Sequence, residues 1–379
     1  QNSDSTIIIS WSGEDGGSGI STYEYALGSS SDGMGAIDWT STGTATVDTV
    51  SNLSLSDGQI YYLSVRATDA AGNVSDIVTG DGITVDLTAP SGSTVNDGTS
   101  ENIAYTGSDS TLSANWDAFT EVTSGISKYE VSIGTSSGGT DVLDWTDNST
   151  NTSFTKSGLA LVSGTNYYMN VRATDVAGNV STGVSSDGAI VDTAAPLAGT
   201  IIDGTETDIN WDNDTTSLSA VWTNFNDVLS GIQKYEYAIG TTSGGTETLS
   251  WADNTTDTTI TNTRLVLTNG ITYYVSVRST DNVGNVSELS VSDGITIDTD
   301  APMVLEVLEG SITEDIDFQN SDSTIIISWS GEDGGSGIST YEYALGSTSD
   351  GTDIVDWTFK GTATADTISG LNLIENQTY

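Results

Sequence analysis

Residues 55–73, which read LSDGQIYYLSVRATDAAGN, are the stretch that decides the fold. A turn at Gly58 leads into a segment in which Tyr61, Leu63 and Val65 fall on one face, the period-two pattern of a half-buried β-strand. A second turn follows at Gly72. The same pattern returns at residues 161–179 and 267–285, each time 106 positions further along. A fixed period near the size of one small domain predicts a tandem array of repeats.

Outward from this stretch, other landmarks keep the same spacing. Trp39 returns as Trp145, Trp251 and Trp357, and Pro90 returns as Pro196 and Pro302. Short alternating or β-branched segments lie between turns rich in Gly, Ser and Asp, with about seven such segments in each repeat. The recurring Asp-Gly pairs before the last segment predict a turn or bulge there. The sequence therefore predicts an all-β fold, with tandem seven-stranded Greek-key β-sandwiches in a linear array.

The repeat landmarks also set the predicted boundaries. We expect repeat 1 at residues 1–89 without its first strand, repeat 2 at 90–195, repeat 3 at 196–301, and repeat 4 at 302–379 without its last strands. Residues 1–6 read the same as residues 319–324, so both ends are expected to fall inside a repeat. The opening strand that repeat 1 lacks is expected at residues 91–95 of repeat 2.

Composition excludes several classes of function. Eight Lys and Arg stand against 53 Asp and Glu, for a net charge of −45, so binding to nucleic-acid phosphates is disfavoured. Such a charge favours an extracellular setting in which salt or bound cations screen it. The chain has no His and no Cys, which excludes Ser-His-Asp and Cys-His catalysis and ordinary zinc sites. No segment is long and apolar enough for membrane insertion, and no catalytic residue is predicted.

Three features carry a resemblance to a known family: Trp11 with its copies, the segment Tyr23-Glu24-Tyr25, and the exit Asp86-x-x-Ala89-Pro90. On these the repeat resembles the fibronectin type III-like and bacterial immunoglobulin-like domains of large bacterial surface proteins, of the adhesin or biofilm-associated type. The resemblance implies that Trp11 and its copies fill the core. It also implies that one Tyr per repeat hydrogen-bonds back to the backbone as a tyrosine corner, at Tyr61, Tyr167 and Tyr273. For Trp39 and its copies, edge packing and ligand stacking both remain open.

A charged pair recurs on the outer face of two strands. In the implied fold the third and sixth strands are neighbours, and both Glu24 and Arg66 point away from the core face. We therefore predict cross-strand ion pairs in three repeats, each contributing roughly 0.2–1 kcal/mol, against the alternative of a solvated Arg. The predicted pairs are Glu24–Arg66, Glu130–Arg172 and Glu236–Arg278.

Acidic residues recur where one repeat should meet the next. In the implied fold two acidic loops lie at the end where the chain enters, so Asp86 is expected to meet Glu121 and Asp175. In the same way Asp192 is expected to meet Asp227 and Asp281. Clusters of oxygen ligands without Lys or Arg suit Ca²⁺, although solvated acids or another cation remain alternatives. The predicted interdomain Ca²⁺ ligands are Asp86, Glu121, Asp175, Asn179, Asp192, Asp227, Asp281, Asn285, Asp298 and Asp333.

Three functions are compatible with such an array. The leading hypothesis is a non-enzymatic extracellular stalk of a large bacterial adhesin at the cell surface, whose length and stiffness are set by neighbouring repeats and by Ca²⁺ at the linkers. The alternative is a structural subunit of an extracellular filament, sheath or surface layer, in which other copies of the chain make lateral contacts. The third is a spacer module of a secreted glycosidase.

Overall fold

The structure is a computed structural model that describes residues 1–30, 35–92, 94–310 and 313–379. Within those ranges the chain forms strands and turns, and the model has no helix long and apolar enough to cross a membrane. Two compact units divide the chain, a first unit at residues 1–194 and a second unit at residues 195–379.

Repeats 1 and 2 lie in the first unit. The strands of repeat 1 are β1 (Thr6–Ser10), β2 (Ile20–Gly28), β3 (Ile37–Gly43), β4 (Val47–Ser51), β5 (Ile60–Asp69), β6 (Val78–Thr79) and β7 (Ile83–Thr84). The strands of repeat 2 are β8 (Val95–Asp97), β9 (Tyr105–Thr106), β10 (Thr111–Trp116), β11 (Ile126–Gly134), β12 (Leu143–Asp147), β13 (Ser153–Ser157), β14 (Asn166–Asp175), β15 (Val184–Ser185) and β16 (Ala189–Val191).

Repeats 3 and 4 lie in the second unit. The strands of repeat 3 are β17 (Thr200–Asp203), β18 (Trp211–Asp212), β19 (Leu218–Thr223), β20 (Ile232–Gly240), β21 (Leu249–Asp253), β22 (Thr259–Asn262), β23 (Thr272–Asp281), β24 (Ser290–Val291) and β25 (Ile295–Ile297). The strands of repeat 4 are β26 (Met303–Glu309), β27 (Thr324–Glu332), β28 (Tyr341–Leu345), β29 (Val355–Gly361) and β30 (Ala365–Ser369).

Repeats 2 and 3 share one sandwich topology. In repeat 2, one sheet has the order β13-β10-β8, and the other has the order β12-β11-β14-β16-β9, with β15 also paired to β14. Repeat 3 forms the corresponding sheets β17-β19-β22 and β18-β25-β23-β20-β21. All of these pairs are antiparallel except β9 with β16 and β18 with β25. The prediction of an all-β sandwich fold is therefore confirmed.

The first and last of the seven predicted strands are each split in two. The opening strand of repeat 3 pairs with β19 as β17 and then crosses to the other sheet, where β18 pairs with β25. The crossing begins at Gly204, whose φ of +101° is in the region that favours glycine. In repeat 2 the opening strand begins later than predicted, at the last of the expected residues 91–95. The strand is Val95–Asp97, while Ser91 forms only an isolated bridge with Thr120 and residue 93 lies outside the described residues.

Each of the four predicted repeats has its own hydrophobic core. The strand β10 alternates buried and half-buried side chains, as the period-two pattern predicts. Trp116 and Trp222 are buried between the sheets, so the prediction that this Trp fills the core is confirmed. The Tyr hydroxyls of the predicted corners accept backbone N–H groups five residues upstream, which confirms the tyrosine corner. These bonds are Ser56 N to Tyr61 at 3.0 Å, Val162 N to Tyr167 at 3.0 Å and Thr268 N to Tyr273 at 2.9 Å.

Candidate functional site

The outer face of three repeats carries the same Glu–Arg–Trp cluster, one residue of each type on three adjacent strands. In repeat 2, Glu130 of β11 lies directly opposite Arg172 of β14. The Arg172 Nε donates to Glu130 Oε2 at 3.0 Å, and the corresponding distances are 2.9 Å in repeat 1 and 3.1 Å in repeat 3. All three predicted ion pairs are confirmed.

The same Arg also covers the indole of the cluster. The guanidinium carbon of Arg172 lies 4.4 Å from the ring centroid of Trp145, and the distances in repeats 1 and 3 are 4.4 Å and 4.3 Å. A guanidinium this close to a Trp face is attracted by the ring quadrupole. In repeat 4, Trp357 is 65% exposed. The geometry favours edge packing for the Trp of the first three repeats, because one ring face is already occupied.

Repeats 2 and 3 add a Lys to the cluster. Lys128 Nζ lies 3.3 Å from Glu130 Oε1 and 3.7 Å from Asp147 Oδ2, and Lys234 repeats both contacts. The hydrogen bond from Arg172, and then that from Lys128, lowers the pKa of Glu130. Glu130 is therefore held as a carboxylate between two cations, an arrangement that stabilises the sheet.

At the junction of repeats 1 and 2, the two repeats are joined by a side-chain amide and not by three converging carboxylates. Asn179 Nδ2 donates to the backbone carbonyl of Asp86 at 2.9 Å and to Asp175 Oδ2 at 2.8 Å. Asp86 and Asp175 are both 1% exposed. Glu121 is turned into its own loop, where it accepts the backbone N–H groups of Thr123 and Gly125, and the first of these bonds is the largest cause of its lowered pKa.

One atom at this junction has no hydrogen-bond partner. Asp86 Oδ1 accepts the N–H of Thr88 at 3.2 Å, but Asp86 Oδ2 is buried without a hydrogen bond. Asp86, Glu121 and Asp175 are all described, and they do not form a group of three acidic side chains with oxygens within 4.8 Å of one another. The predicted Ca²⁺ at this junction therefore stays a prediction.

The other predicted ligands are also tied into local turns. In the first unit, Asp192 is fully buried and its Oδ1 accepts the N–H of Ala194. In the second unit, Asp227 accepts the N–H of Gly231, and an oxygen of Asp227 lies within 4.8 Å of an oxygen of Asp281. Asn285 Nδ2 donates to Asp281 Oδ2 at 2.7 Å, as Asn179 does to Asp175.

At the junction of repeats 3 and 4 the linker carboxylate makes the contact. Asp298 Oδ2 accepts the N–H of Ser336 at 2.6 Å, and hydrogen bonds from the Ser336 side chain and backbone lower the pKa of Asp298. Asp333 is turned into its own loop, where it accepts the N–H of Gly337 at 2.7 Å. At this junction a linker carboxylate thus connects repeat 3 to repeat 4 through a donor of the protein itself.

Sequence reasoning missed one buried carboxylate in the opening strand of repeats 2 and 3. Asp97 Oδ2 accepts the N–H of Gly188 at 2.9 Å, and Asp203 Oδ2 accepts that of Gly294 at 3.0 Å. Burial is the largest cause that raises the pKa of each of these two acids to about 6. The recurrence of an Asp-Gly pair at the end of both opening strands was the available signal.

No protein-family model matches the chain. Over 310 residues it is 31% identical to Exoglucanase B of Cellulomonas fimi, a match that covers 77% of this chain and 24% of that protein. Over 154 residues it is 36% identical to Chitinase A1 of Niallia circulans, which covers 40% of this chain and 20% of that protein. The chain thus spans a quarter or less of the length of the curated relatives it matches.

Solved structures of tandem domains are also similar. Domains FN1–FN3 of chicken CNTN1 align with 78% of this chain and 94% of their own at 16% identity and a TM-score of 0.30. Three domains of titin, A168–A170, align over the same shares at 15% identity and a TM-score of 0.34. The strand order of repeats 2 and 3 identifies the fold without them. The chain is a tandem array of β-sandwich repeats with the fold of fibronectin type III and immunoglobulin-like domains.

Proposed function

We propose that these repeats are non-catalytic spacer modules of an extracellular enzyme that degrades polysaccharides. One observation carries the proposal: the chain is similar to a quarter or less of an exoglucanase and to a fifth of a chitinase. The two enzymes are named for different glycans, so we infer that a segment similar to both does not determine which glycan is cleaved. A β-sandwich also hosts many roles, so its function has to be argued from its sites.

The contacts that are copied between repeats support a structural role. The Glu–Arg–Trp cluster joins three strands, and the tyrosine corner joins a loop to the strand that follows it. Both contacts lie within one sandwich, and each recurs in three repeats. Arg172 covers one face of Trp145, so that face is not open for stacking on a sugar ring. A spacer requires internal contacts of this kind, because each repeat has to be stable by itself.

Calcium at the repeat junctions is a second part of the proposal. The buried Asp86 Oδ2 without a hydrogen-bond partner supports it, because a buried carboxylate oxygen is costly unless it is paired or binds a cation. Thermal unfolding of the chain in EDTA and in millimolar Ca²⁺ tests this part. We expect a higher midpoint in Ca²⁺, and equal midpoints would contradict it.

An antibody against the repeats tests the enzyme context. Antigen should be found mainly in the culture medium of the source cells, and immunoprecipitation should bring down activity that releases sugar from cellulose or from chitin. The isolated chain should release none and should not sediment with either polysaccharide. Its −45 charge leaves little attraction for anionic surfaces, which also favours a freely extracellular protein.

The same experiment separates the adhesin-stalk and filament hypotheses. If the antigen stays on the cell surface and the precipitate has no hydrolase activity, the adhesin-stalk hypothesis is favoured over a spacer module of an enzyme. Regular lateral contacts between copies in isolated surface fibres would favour a filament or sheath.

A further inference from the structure

Repeat 3 brings three acids together where its opening strand crosses between the two sheets. Asp203 ends β17, Asp208 lies in the crossing segment before β18, and Asp293 precedes β25. One carboxylate oxygen of each lies within 4.8 Å of the others. Asp203 is fully buried, whereas Asp208 and Asp293 are exposed. The group lies inside a single repeat and shares no residue with the junctions.

Repeat 2 shows a version of the same arrangement in which an amide replaces one of the three acids. The residues that correspond to the acidic group, 106 positions earlier, are Asp97, Asn102 and Asp187. Asn102 Oδ1 accepts the N–H of Asp97 at 2.9 Å. Asn102 Nδ2 donates to the two oxygens of Asp187 at 3.0 Å and 3.2 Å. The amide therefore joins the opening strand to the acid before the last strand.

Repeat 3 keeps one of these bonds and cannot make the other. Asp208 Oδ1 accepts the N–H of Asp203 at 2.9 Å, as Asn102 does for Asp97. The second carboxylate oxygen of Asp208 corresponds to the amide nitrogen of Asn102, but a carboxylate has no proton to donate to Asp293. Two acids therefore face each other where repeat 2 has a donor and an acceptor.

The third acid has an oxygen with no partner. Asp203 Oδ2 accepts the N–H of Gly294, whereas Asp203 Oδ1 is buried without a hydrogen bond. Burial is the largest cause that raises the pKa of Asp203 to about 6, and the charges of Asp208 and Asp293 contribute. None of the three acids forms an ion pair with Lys or Arg among the residues that the structure describes.

We propose that Asp203, Asp208 and Asp293 bind a calcium ion that joins the opening strand of repeat 3 to its last strand, in place of the amide bridge of repeat 2. Hard carboxylate oxygens are the ligands that Ca²⁺ prefers, and the two exposed acids leave room for water to complete its six to eight ligands. Calcium sites of extracellular modules have dissociation constants of about 10⁻⁴–10⁻³ M, and we expect an affinity in this range.

Two reciprocal substitutions test the site in the whole chain. Asp208→Asn gives repeat 3 the amide of repeat 2, and Asn102→Asp gives repeat 2 the acids of repeat 3. Calcium bound per chain is measured by equilibrium dialysis near pH 7. We expect one ion fewer with Asp208→Asn and one ion more with Asn102→Asp, whatever number the junctions bind. Because each variant copies an arrangement that a neighbouring repeat already folds with, both should fold.

Stability of repeat 3 gives a second readout, from hydrogen exchange of its peptides. In EDTA, Asp208→Asn should protect repeat 3 more than the natural sequence does, since the amide can donate to Asp293. Millimolar Ca²⁺ should then protect repeat 3 of the natural sequence more than repeat 3 of the variant, because any junction sites are the same in both proteins. Unchanged ion counts in both variants, or an equal calcium response of repeat 3 in the two proteins, would overturn the proposal.

Discussion

The guanidinium of Arg172 lies over Trp145, with its central carbon 4.4 Å from the ring centroid. The same Arg donates from Nε to a Glu on the strand between them. One side chain thus spans three adjacent strands, β14, β11 and β12, on the outer face of the sheet. Because each of these strands belongs to the same sandwich, the cluster contributes to the stability of its own repeat.

Replacing the Arg of one cluster should destabilise that repeat. Arg172→Ala removes the hydrogen-bonded ion pair and the contact with the indole together, and we expect a loss of about 1–2 kcal/mol in the free energy of unfolding of repeat 2. Hydrogen exchange of repeat 2 peptides measures this loss, and acrylamide should quench the uncovered Trp145 more strongly. The exchange of repeat 3, whose cluster is intact, provides the internal reference.

A matched variant separates the two contacts of the Arg. Glu130→Gln keeps the side-chain length and the Arg over Trp145, so only the charge interactions of Glu130 with Arg172 and Lys128 are weakened, and the loss should be smaller than that of Arg172→Ala. That loss should shrink in 1 M salt, which screens half-exposed pairs. Equal losses from both variants, with no change in quenching, would show that the indole contact contributes nothing.

The tyrosine corner predicts a difference between two adjacent Tyr residues. Tyr273→Phe removes the hydroxyl that accepts the N–H of Thr268, leaving that donor without its partner, and we expect repeat 3 to lose about 1–3 kcal/mol. Tyr274→Phe, on the opposite face of the same strand, is the control and should cost less. Hydrogen exchange of the segment around Thr268 measures both, and equal protection in the two variants would contradict the prediction.

The fold could be predicted because its signals are local and periodic. Alternation around Tyr61 and Val65 places one face of a strand in the core, and the repeated turns give the strand count to within the two split strands. The split of the opening strand could not be read in the same way. It depends on Gly204 and on which sheet offers a free edge, and the second of these is a tertiary property.

The candidate sites were predicted unevenly for a physical reason. The ion pair of Glu24 with Arg66 could be predicted because the fold class fixes which strands are neighbours and which way their side chains point. The junction acids depend on loop conformation, and the loops use Glu121 and Asp175 to accept their own N–H groups. Asp97 was missed although its Asp-Gly pair recurs in repeat 3, because such a pair predicts a turn and does not by itself indicate a buried carboxylate.

The junction of repeats 1 and 2 should open when its amide is removed. Asn179→Ala loses the bonds to the Asp86 carbonyl and to Asp175, so the linker at residues 86–90 should become more accessible to proteases while the cores stay protected. Asn73→Ala is the matched control, because Asn73 makes the corresponding bond to Asp69 inside repeat 1. Equal cleavage of the linker in the two variants would contradict a role for Asn179 at the junction.

The buried Asp97 predicts how the stability of repeat 2 depends on pH. Burial raises its pKa from an ordinary value of 3.8 to about 6, against hydrogen bonds from Ser186 and Gly188 and with a contribution from the charge of Asp187. Between these values the folded state binds a proton that the unfolded state has lost. The contribution of Asp97 to stability therefore falls as the pH rises from about 4 to about 6.

Substitution of Asp97 should thus be stabilising at neutral pH. Asp97→Asn keeps an acceptor for Gly188 and removes a buried charge, so repeat 2 should gain on the order of 1–3 kcal/mol at pH 7 and almost nothing at pH 4.

Asp141→Asn is the control, with the opposite expected result. Hydrogen bonds from the Thr135 side chain and backbone lower the pKa of Asp141, so its contribution is present above pH 3.8 and is lost as the pH falls through the folded value. That variant should be destabilised at pH 7. Hydrogen exchange of repeat 2 at the two pH values, corrected for the intrinsic exchange rate, measures both differences, and a loss of stability in Asp97→Asn at pH 7 would show that the carboxylate is better paired than its burial implies.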